Sequence, residues 1–195
     1  MHSTDENMIP LTRTSIDAYL TPLQLQIGSW NQVEVAGPAP ADCVVTYATP
    51  VPAAELFVFS QHLASWLAPG DWTILQIDNS TAFTDAEVAF VSAFAPTAAS
   101  FGPDGNPKDG DRSLLLRSVP DASSFRYRVA NVIHAFLLHE GHAQLASPGL
   151  PHRHYLSLQD GVAELHCQVS SKAFVESMLT EFERDPLAYP MAGRR

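Results

Sequence analysis

The dipeptide Asp160-Gly161 is the sequence feature that most restricts the fold of this chain. It separates two segments of alternating apolar and polar residues, HYLSLQ and VAELHCQV. Asp-Gly readily adopts the positive backbone angles of a two-residue β-turn, so the pattern predicts a β-hairpin. Facing residues of that hairpin have numbers that sum to 321, which places Leu156 opposite Leu165 on the buried side of an antiparallel sheet.

Helical and strand patterns alternate through the middle of the chain. Apolar residues at helical spacing predict a helix after Pro50 to about Ala68 and another from about residue 121 to Glu140. Thr84 and Glu87 form a capping box that predicts a further helix through about residue 94. Shorter helices are predicted at 15–20 and 172–183, and strands at 23–27, 33–35, 43–48, 72–77 and 113–118, before the hairpin.

This order of elements predicts an α+β fold built on one mixed β-sheet. We expect about five to seven strands, three or four helices packed on them, and a C-terminal β-hairpin followed by a helix. The alternating strands and helices in the middle favour some parallel pairing. A chain of 195 residues is long enough for one domain with a substantial core. We predict a single domain over residues 1–195, with a long loop at 95–111.

The charge of the chain is concentrated in its N-terminal half. The formal net charge is −10, and the 94 residues from Thr14 to Pro107 contain nine acids and no Lys or Arg. Nucleic acids and anionic membranes are bound by clustered bases, so the sequence argues against both as partners. A one-sided acidic field attracts a basic protein partner. The alternative interpretation is that the acids only keep the protein soluble.

Four acids of this stretch flank one predicted strand–helix unit, and we expect them to contact the partner: Asp71, Asp78, Asp85 and Glu87. In size, acidity and lack of catalytic motifs the chain resembles bacterial immunity proteins, which neutralise toxic effectors that include basic nucleases. The resemblance covers bulk properties of the whole chain and no single motif, so we assign no family. It implies a non-enzymatic, cytoplasmic inhibitor of a toxin.

Histidines are the main compositional anomaly of the C-terminal half. Six of the eight lie between His134 and His166. The hairpin register places His154 opposite Cys167, with His152 on the same side, and these three side chains are candidate metal ligands with His139 or His142 as a fourth. The alternative function is therefore a metal-dependent hydrolase or a metal-binding regulator. The competing interpretation is that Cys167 is a small buried apolar residue and the histidines lie at the surface.

A further candidate is the loop at residues 78–81, Asp-Asn-Ser-Thr, between a predicted strand and a predicted helix. Ligands collect at such junctions, and the same residue types also form ordinary turns and caps. The sequence contains no glycine-rich dinucleotide motif, P-loop or G-x-S-x-G turn. We identify no catalytic residue and no cofactor, and the sequence favours a protein that is not an enzyme.

The compartment is predicted from the N-terminus and the cysteines. The first residues, MHSTDEN, carry acids where a secretory signal has bases, and no apolar run of membrane-spanning length follows. The two cysteines, Cys43 and Cys167, lie far apart in strand-like segments. We expect buried thiols in a reducing environment, and hence a cytoplasmic protein.

Overall fold

The computed structural model describes residues 8–28, 32–37, 42–49, 53–67, 70–77, 113–117, 122–148, 155–168 and 191–194. Its helices are α1 (Arg13–Leu20), α2 (Ala53–Leu67) and α3 (Ala122–Leu138), with a 3₁₀ turn at Thr21–Leu23. Its strands are β1 (Met8–Leu11), β2 (Leu25–Ile27), β3 (Val33–Val35), β4 (Asp42–Ala48), β5 (Trp72–Ile77), β6 (Ser113–Arg117), β7 (Ala143–Ala146), β8 (Tyr155–Gln159), β9 (Val162–Gln168) and β10 (Met191–Arg194).

Eight of these strands form one sheet in the order β1-β6-β5-β7-β8-β9-β4-β10, and β2 pairs with β3 in a separate hairpin. The α+β class predicted from the sequence is confirmed. Two details differ from the expectation. The main sheet has eight strands rather than five to seven, since β1, β7 and β10 have only four residues each and give little periodic signal.

The second difference is strand direction. Every strand pair in the described part of the chain is antiparallel, whereas we expected a mixed sheet. Helix α3 does connect two strands of the same direction, β6 and β7, but β5 lies between them. Helix α2 connects β4 and β5, which are also parallel to each other and are separated by β7, β8 and β9. Neighbouring strands therefore run in opposite directions.

The sheet has an apolar core on each of its two faces. We call the side covered by α2 and α3 the helix face; its core includes Leu75, Leu116 and Leu165 from the strands and Phe59 and Phe125 from the helices. We call the other side the outer face and the group α1, β2 and β3 that packs on part of it the outer layer. Ile16 and Leu20 of α1 and Leu25 of β2 form this second core with Ile74 and Leu115 of the sheet.

Local sequence explains how the outer layer and the β8–β9 hairpin form. Thr12 caps α1, with its hydroxyl accepting from the Ser15 amide at 3.3 Å, and the fully buried Ile16 and Leu20 lie one helical turn apart. In the turn between β8 and β9, Asp160 and Gly161 have φ angles of +49° and +68°. These are the angles of the predicted two-residue turn, and the predicted register, with Leu156 opposite Leu165, is confirmed.

Three predicted segments lie outside the described residues. They are the helix opened by Thr84 and Glu87, the loop at 95–111 and the helix at 172–183. The first two lie between β5 and β6, and the third lies between β9 and β10.

Candidate functional site

The outer layer carries two acids, Asp17 and Glu34, and one exposed base, Arg13. Asp17 is exposed on α1, and Glu34 of β3 is half-buried, with its Oε1 accepting from Gln26 Nε2 at 2.8 Å. Arg13 is the only Lys or Arg in α1, β2 and β3, and its guanidinium donates to the carbonyl oxygen of Ile27. That bond ties α1 to β2. With two acids and one base, the formal charge of this layer is −1.

Asp71 is the one predicted partner-contact acid in the described residues, and it lies at the edge of the outer layer. It is exposed and directly precedes Trp72, whose ring meets Tyr19 of α1 edge-on with centroids 5.1 Å apart. The strand register places Arg117 opposite Trp72, so one base adjoins this edge. The other three acids, Asp78, Asp85 and Glu87, and the 78–81 loop lie outside the described residues.

A row of polar side chains crosses the outer face of the sheet, and the sequence analysis did not identify it. Consecutive register pairs join its members, which we call the polar row: Ser113, Gln76, Gln144, Ser157, Glu164 and Thr46. Four of them are buried, with at most 8% of each residue exposed. The signal was present in the sequence, because each member alternates with apolar residues of the helix face.

Three buried side chains of the polar row form hydrogen bonds. Ser113 donates its hydroxyl to Gln76 Oε1, and Gln76 Nε2 donates to the Ile77 carbonyl oxygen at 3.4 Å. Gln144 Oε1 accepts from the backbone amide of Val33 at 3.3 Å, which connects the sheet to β3 of the outer layer. The row thus fixes the outer layer to the sheet by directed bonds, in addition to apolar contact.

The part of the polar row that lies on β9 carries ionisable groups. Glu164 Oε2 lies 3.3 Å from His166 Nε2, with side chains 28% and 19% exposed. The His166 ring stacks on Tyr155 with centroids 4.2 Å apart and an interplanar angle of 11°. Alternation along β9 places both Glu164 and His166 on the opposite face from Cys167, which explains why the predicted hairpin ligands did not include them.

The predicted metal ligands are only partly described. Cys167 is 1% exposed and belongs to the apolar core of the helix face, as the competing interpretation expected. His152 and His154 lie outside the described residues. His142 directly precedes β7, and its Nε2 lies 2.8 Å from Oδ1 of Asp160, which is in the turn between β8 and β9. In the described ranges no group of three or more His, Cys, Asp or Glu residues is arranged to hold a metal ion.

His134 of α3 packs against an aromatic residue of α2. Its ring meets Phe57 of α2 edge-on, with centroids 5.5 Å apart, and its Nδ1 atom is buried. Desolvation lowers the pKa of this imidazole; a hydrogen bond to the Leu56 backbone acts in the opposite direction, and the nearby His139 lowers it further. A neutral ring at this place is therefore favoured.

Comparison with known proteins returns no relative. No family model, no curated protein and no solved structure matches this chain. Among the described helices, none combines the length and the apolar character that crossing a lipid bilayer requires.

Proposed function

We propose that this protein is a non-enzymatic binding protein whose acidic N-terminal half holds a basic protein partner. The observation that carries the proposal is the charge of the outer layer. Asp17 and Glu34 outnumber Arg13, the only base of α1, β2 and β3, which is exposed and directed to the Ile27 carbonyl oxygen. A partner approaching this side meets negative charge.

The distribution of charge across the sheet supports an oriented encounter. The helix side carries two bases of α3, Arg126 and Arg128, and one acid of α2, Glu55. The opposite side carries three acids and two bases: Asp17, Glu34, Asp71, Arg13 and Arg117. A molecule polarised in this way turns its acidic side toward a basic protein before contact. Such steering raises association rates more than it raises affinity, and salt weakens it.

The aromatic pair Tyr19 and Trp72 supports a contact that is more than electrostatic. Both side chains are half-buried and pack against the core of the outer layer, so each is held in place and still reaches solvent. Tyrosine and tryptophan are the residues most often found at the energetic centre of protein interfaces. Their rings also attract the cationic side chains of a basic partner. Asp71 lies at this edge, next to Trp72.

The class of partner that we propose is a basic toxic effector, which the protein neutralises in the cytoplasm as an immunity protein. Size, acidity and the lack of catalytic motifs support this class. A nuclease fits the surface charge, because a protein that binds phosphates presents a basic cleft and an acidic inhibitor is complementary to it. Asp78, Asp85 and Glu87 belong to the same proposed contact.

The test uses charge reversal at matched positions. The partner is captured from the native source with the full-length protein, and its association rate is measured by stopped flow with the variants Asp17→Lys, Asp71→Lys and Glu140→Lys. Glu140 is exposed in the turn after α3 and belongs neither to the outer layer nor to the proposed contact, so its reversal changes the net charge equally and serves as the control. We expect the first two variants to associate about three- to tenfold more slowly at low salt and the control to match the wild type.

Two results would contradict the proposal. One is a captured partner with an acidic surface. The other is an equal rate for all three variants at low ionic strength, which would mean that the acids serve only solubility. Inhibition of the partner's nuclease activity by the wild-type protein then separates the proposed immunity role from binding alone.

A further inference from the structure

The only two cysteines of this 195-residue chain are register partners in the sheet. Cys43 belongs to β4 and Cys167 to β9, and the antiparallel register between these strands runs from Asp42 opposite Gln168 to Ala48 opposite Val162. Each residue of β4 has a single register partner in β9. The coincidence of both cysteines at one register step calls for a chemical explanation.

The backbone geometry of such a step suits a disulfide. Directly opposed residues in an antiparallel pair have Cα atoms about 4.5 or 5.5 Å apart, depending on whether the pair is hydrogen-bonded. Disulfides join Cα atoms about 4.4–6.8 Å apart. Both kinds of pair fall within that range, so β4 and β9 can be bridged at this step without a shift of register.

We propose that Cys43 and Cys167 are a reversible cross-strand redox pair. They are thiols at the glutathione potential of a reducing cytoplasm, and a disulfide oxidant such as glutathione disulfide joins them. Two cysteine thiols and one glutathione disulfide give one protein disulfide and two molecules of glutathione. The protein is oxidised by two electrons, glutathione disulfide is reduced by two, and the two thiol protons pass to the released glutathione thiolates.

The burial of Cys167 determines the order of the two exchange steps. With 1% of the residue exposed, Cys167 is closed to a tripeptide oxidant while the protein is folded. In the proposed sequence, Cys43 makes the first attack on glutathione disulfide, forms a mixed disulfide and releases one glutathione. The Cys167 thiolate then attacks the Cys43 sulfur and releases the second glutathione.

The bridge would close a ring that contains most of the molecule. Residues between 43 and 167 include α2, β5, β6, α3, β7 and β8, whereas the outer layer precedes the ring. A disulfide stabilises mainly by restricting the unfolded chain, and the effect grows with the length of the closed loop. For a loop of more than 100 residues in a protein of this size we expect Tm to rise by about 10 °C on oxidation.

The experiment follows the reduced full-length protein after addition of glutathione disulfide, with acid quenching and intact mass spectrometry. The wild type is expected to lose two hydrogen atoms without retaining glutathione, and its Tm is expected to rise and to return on addition of dithiothreitol. Cys167→Ser is expected to stop with one glutathione on Cys43. Cys43→Ser is expected to stay unmodified while folded. Cys167→Ala provides a second trapping variant that keeps an apolar core.

Three outcomes overturn the proposal. The first is two thiols, titrated after denaturation, in oxidant-treated wild type. The second is wild-type protein that retains two glutathione molecules. The third is stoichiometric zinc, measured by elemental analysis of the same sample, that protects both cysteines from the oxidant. None of these results bears on the charge-reversal experiment, so the redox pair and the proposed partner are tested separately.

Discussion

At the scale of single residues, the hydroxyl of Thr73 is a buried polar group without a partner. Thr73 lies on β5 in the core of the helix face, is 0% exposed, and its Oγ1 has no hydrogen-bond partner among the described residues. We expect Thr73→Val to raise the free energy of unfolding by about 1 kcal/mol, since it removes the cost of burying that hydroxyl. Urea denaturation at fixed pH measures this.

The control for this prediction is Ser60→Ala in α2. The Ser60 hydroxyl is equally buried but donates to the Leu56 carbonyl oxygen at 2.8 Å, so its removal gives no comparable gain. Equal stabilisation by both substitutions would show that the missing partner of Thr73 is not the cause.

His134 gives the protein a pH dependence of known sign. Burial lowers its pKa in the folded state below the ordinary value of 6.5. Above pH 6.5 the ring is neutral in both states, and as the pH falls below 6.5 the unfolded chain takes up the proton first. The free energy of unfolding therefore falls with decreasing pH, until the pH passes below the lowered pKa and the folded ring is protonated as well.

The measurement is a series of urea titrations between neutral pH and the acid range. In His134→Phe, which keeps an aromatic ring beside Phe57, we expect the loss of stability below pH 6.5 to be smaller than in the wild type. His139→Gln removes only a minor Coulomb contribution and should retain most of the loss. A His134→Phe curve parallel to that of the wild type would refute the assignment.

At the scale of elements, the polar row specifies how the strands pair. A slip of one residue in any of these strands would move its polar side chain to the helix face, under α2 and α3, where it would lack its present partners. Gln144 has a second role, because its Oε1 accepts from the Val33 amide of the outer layer. The row therefore determines both the strand register and the position of β3.

Gln144→Leu tests the bond between the sheet and the outer layer. The substitution leaves the buried Val33 amide without its acceptor, and we expect a loss of about 1–3 kcal/mol in unfolding free energy. Hydrogen exchange at the Val33 amide should also become faster. Gln26→Ala removes an exposed bond to Glu34 and should cost less than about 0.5 kcal/mol. Similar losses for the two variants would contradict the role given to Gln144.

The sequence predicts well the elements whose local chemistry is strong. The Asp160-Gly161 turn, the buried strand WTILQI and helix α2 were all placed within a few residues. The four-residue strand β7 was missed, because Ala143–Ala146 is too short to show a strand period and is buried at every position. Without β7, the helix predicted to end at about Glu140 is followed by a segment with no assigned structure. The antiparallel arrangement around β5 was therefore not predictable from local pattern.

For the candidate sites too, some features follow from the local sequence and others depend on contacts between distant parts of the chain. The acidity of the outer layer is visible in the sequence as a stretch without bases, and Asp71 was selected from it. The polar row needs the strand order, which brings Gln76 beside Gln144 across 68 positions of sequence. The pairing of Cys43 with Cys167 likewise follows only from the β4–β9 register.

At the scale of the whole molecule, the sheet depends on a short edge strand. β6 consists of Ser-Leu-Leu-Leu-Arg, and four of its five residues are buried, so it behaves as an interior strand. Its outer neighbour is β1, with Met8 opposite Leu116 and Leu11 opposite Ser113. Without β1 the unpaired backbone of β6 would be available to another chain.

Two deletions test this dependence. We expect a variant without residues 1–11 to self-associate, and a variant without residues 1–7 to keep the association state of the full-length protein. Size-exclusion chromatography with light scattering over a range of concentrations measures both. An unchanged mass for the longer deletion at the highest concentration would show that β6 is protected by other means.

The positions of β1 and β10 also set the distance between the two described ends of the chain. These strands are the opposite edges of an eight-stranded sheet, so seven spacings separate them, or about 34 Å. A circular permutant that joins the ends would need a linker of at least about ten extended residues across the sheet. A shorter linker would pull an edge strand away from its neighbour. Fluorophores placed before β1 and after β10 would, for the same reason, report directly on the width of the sheet.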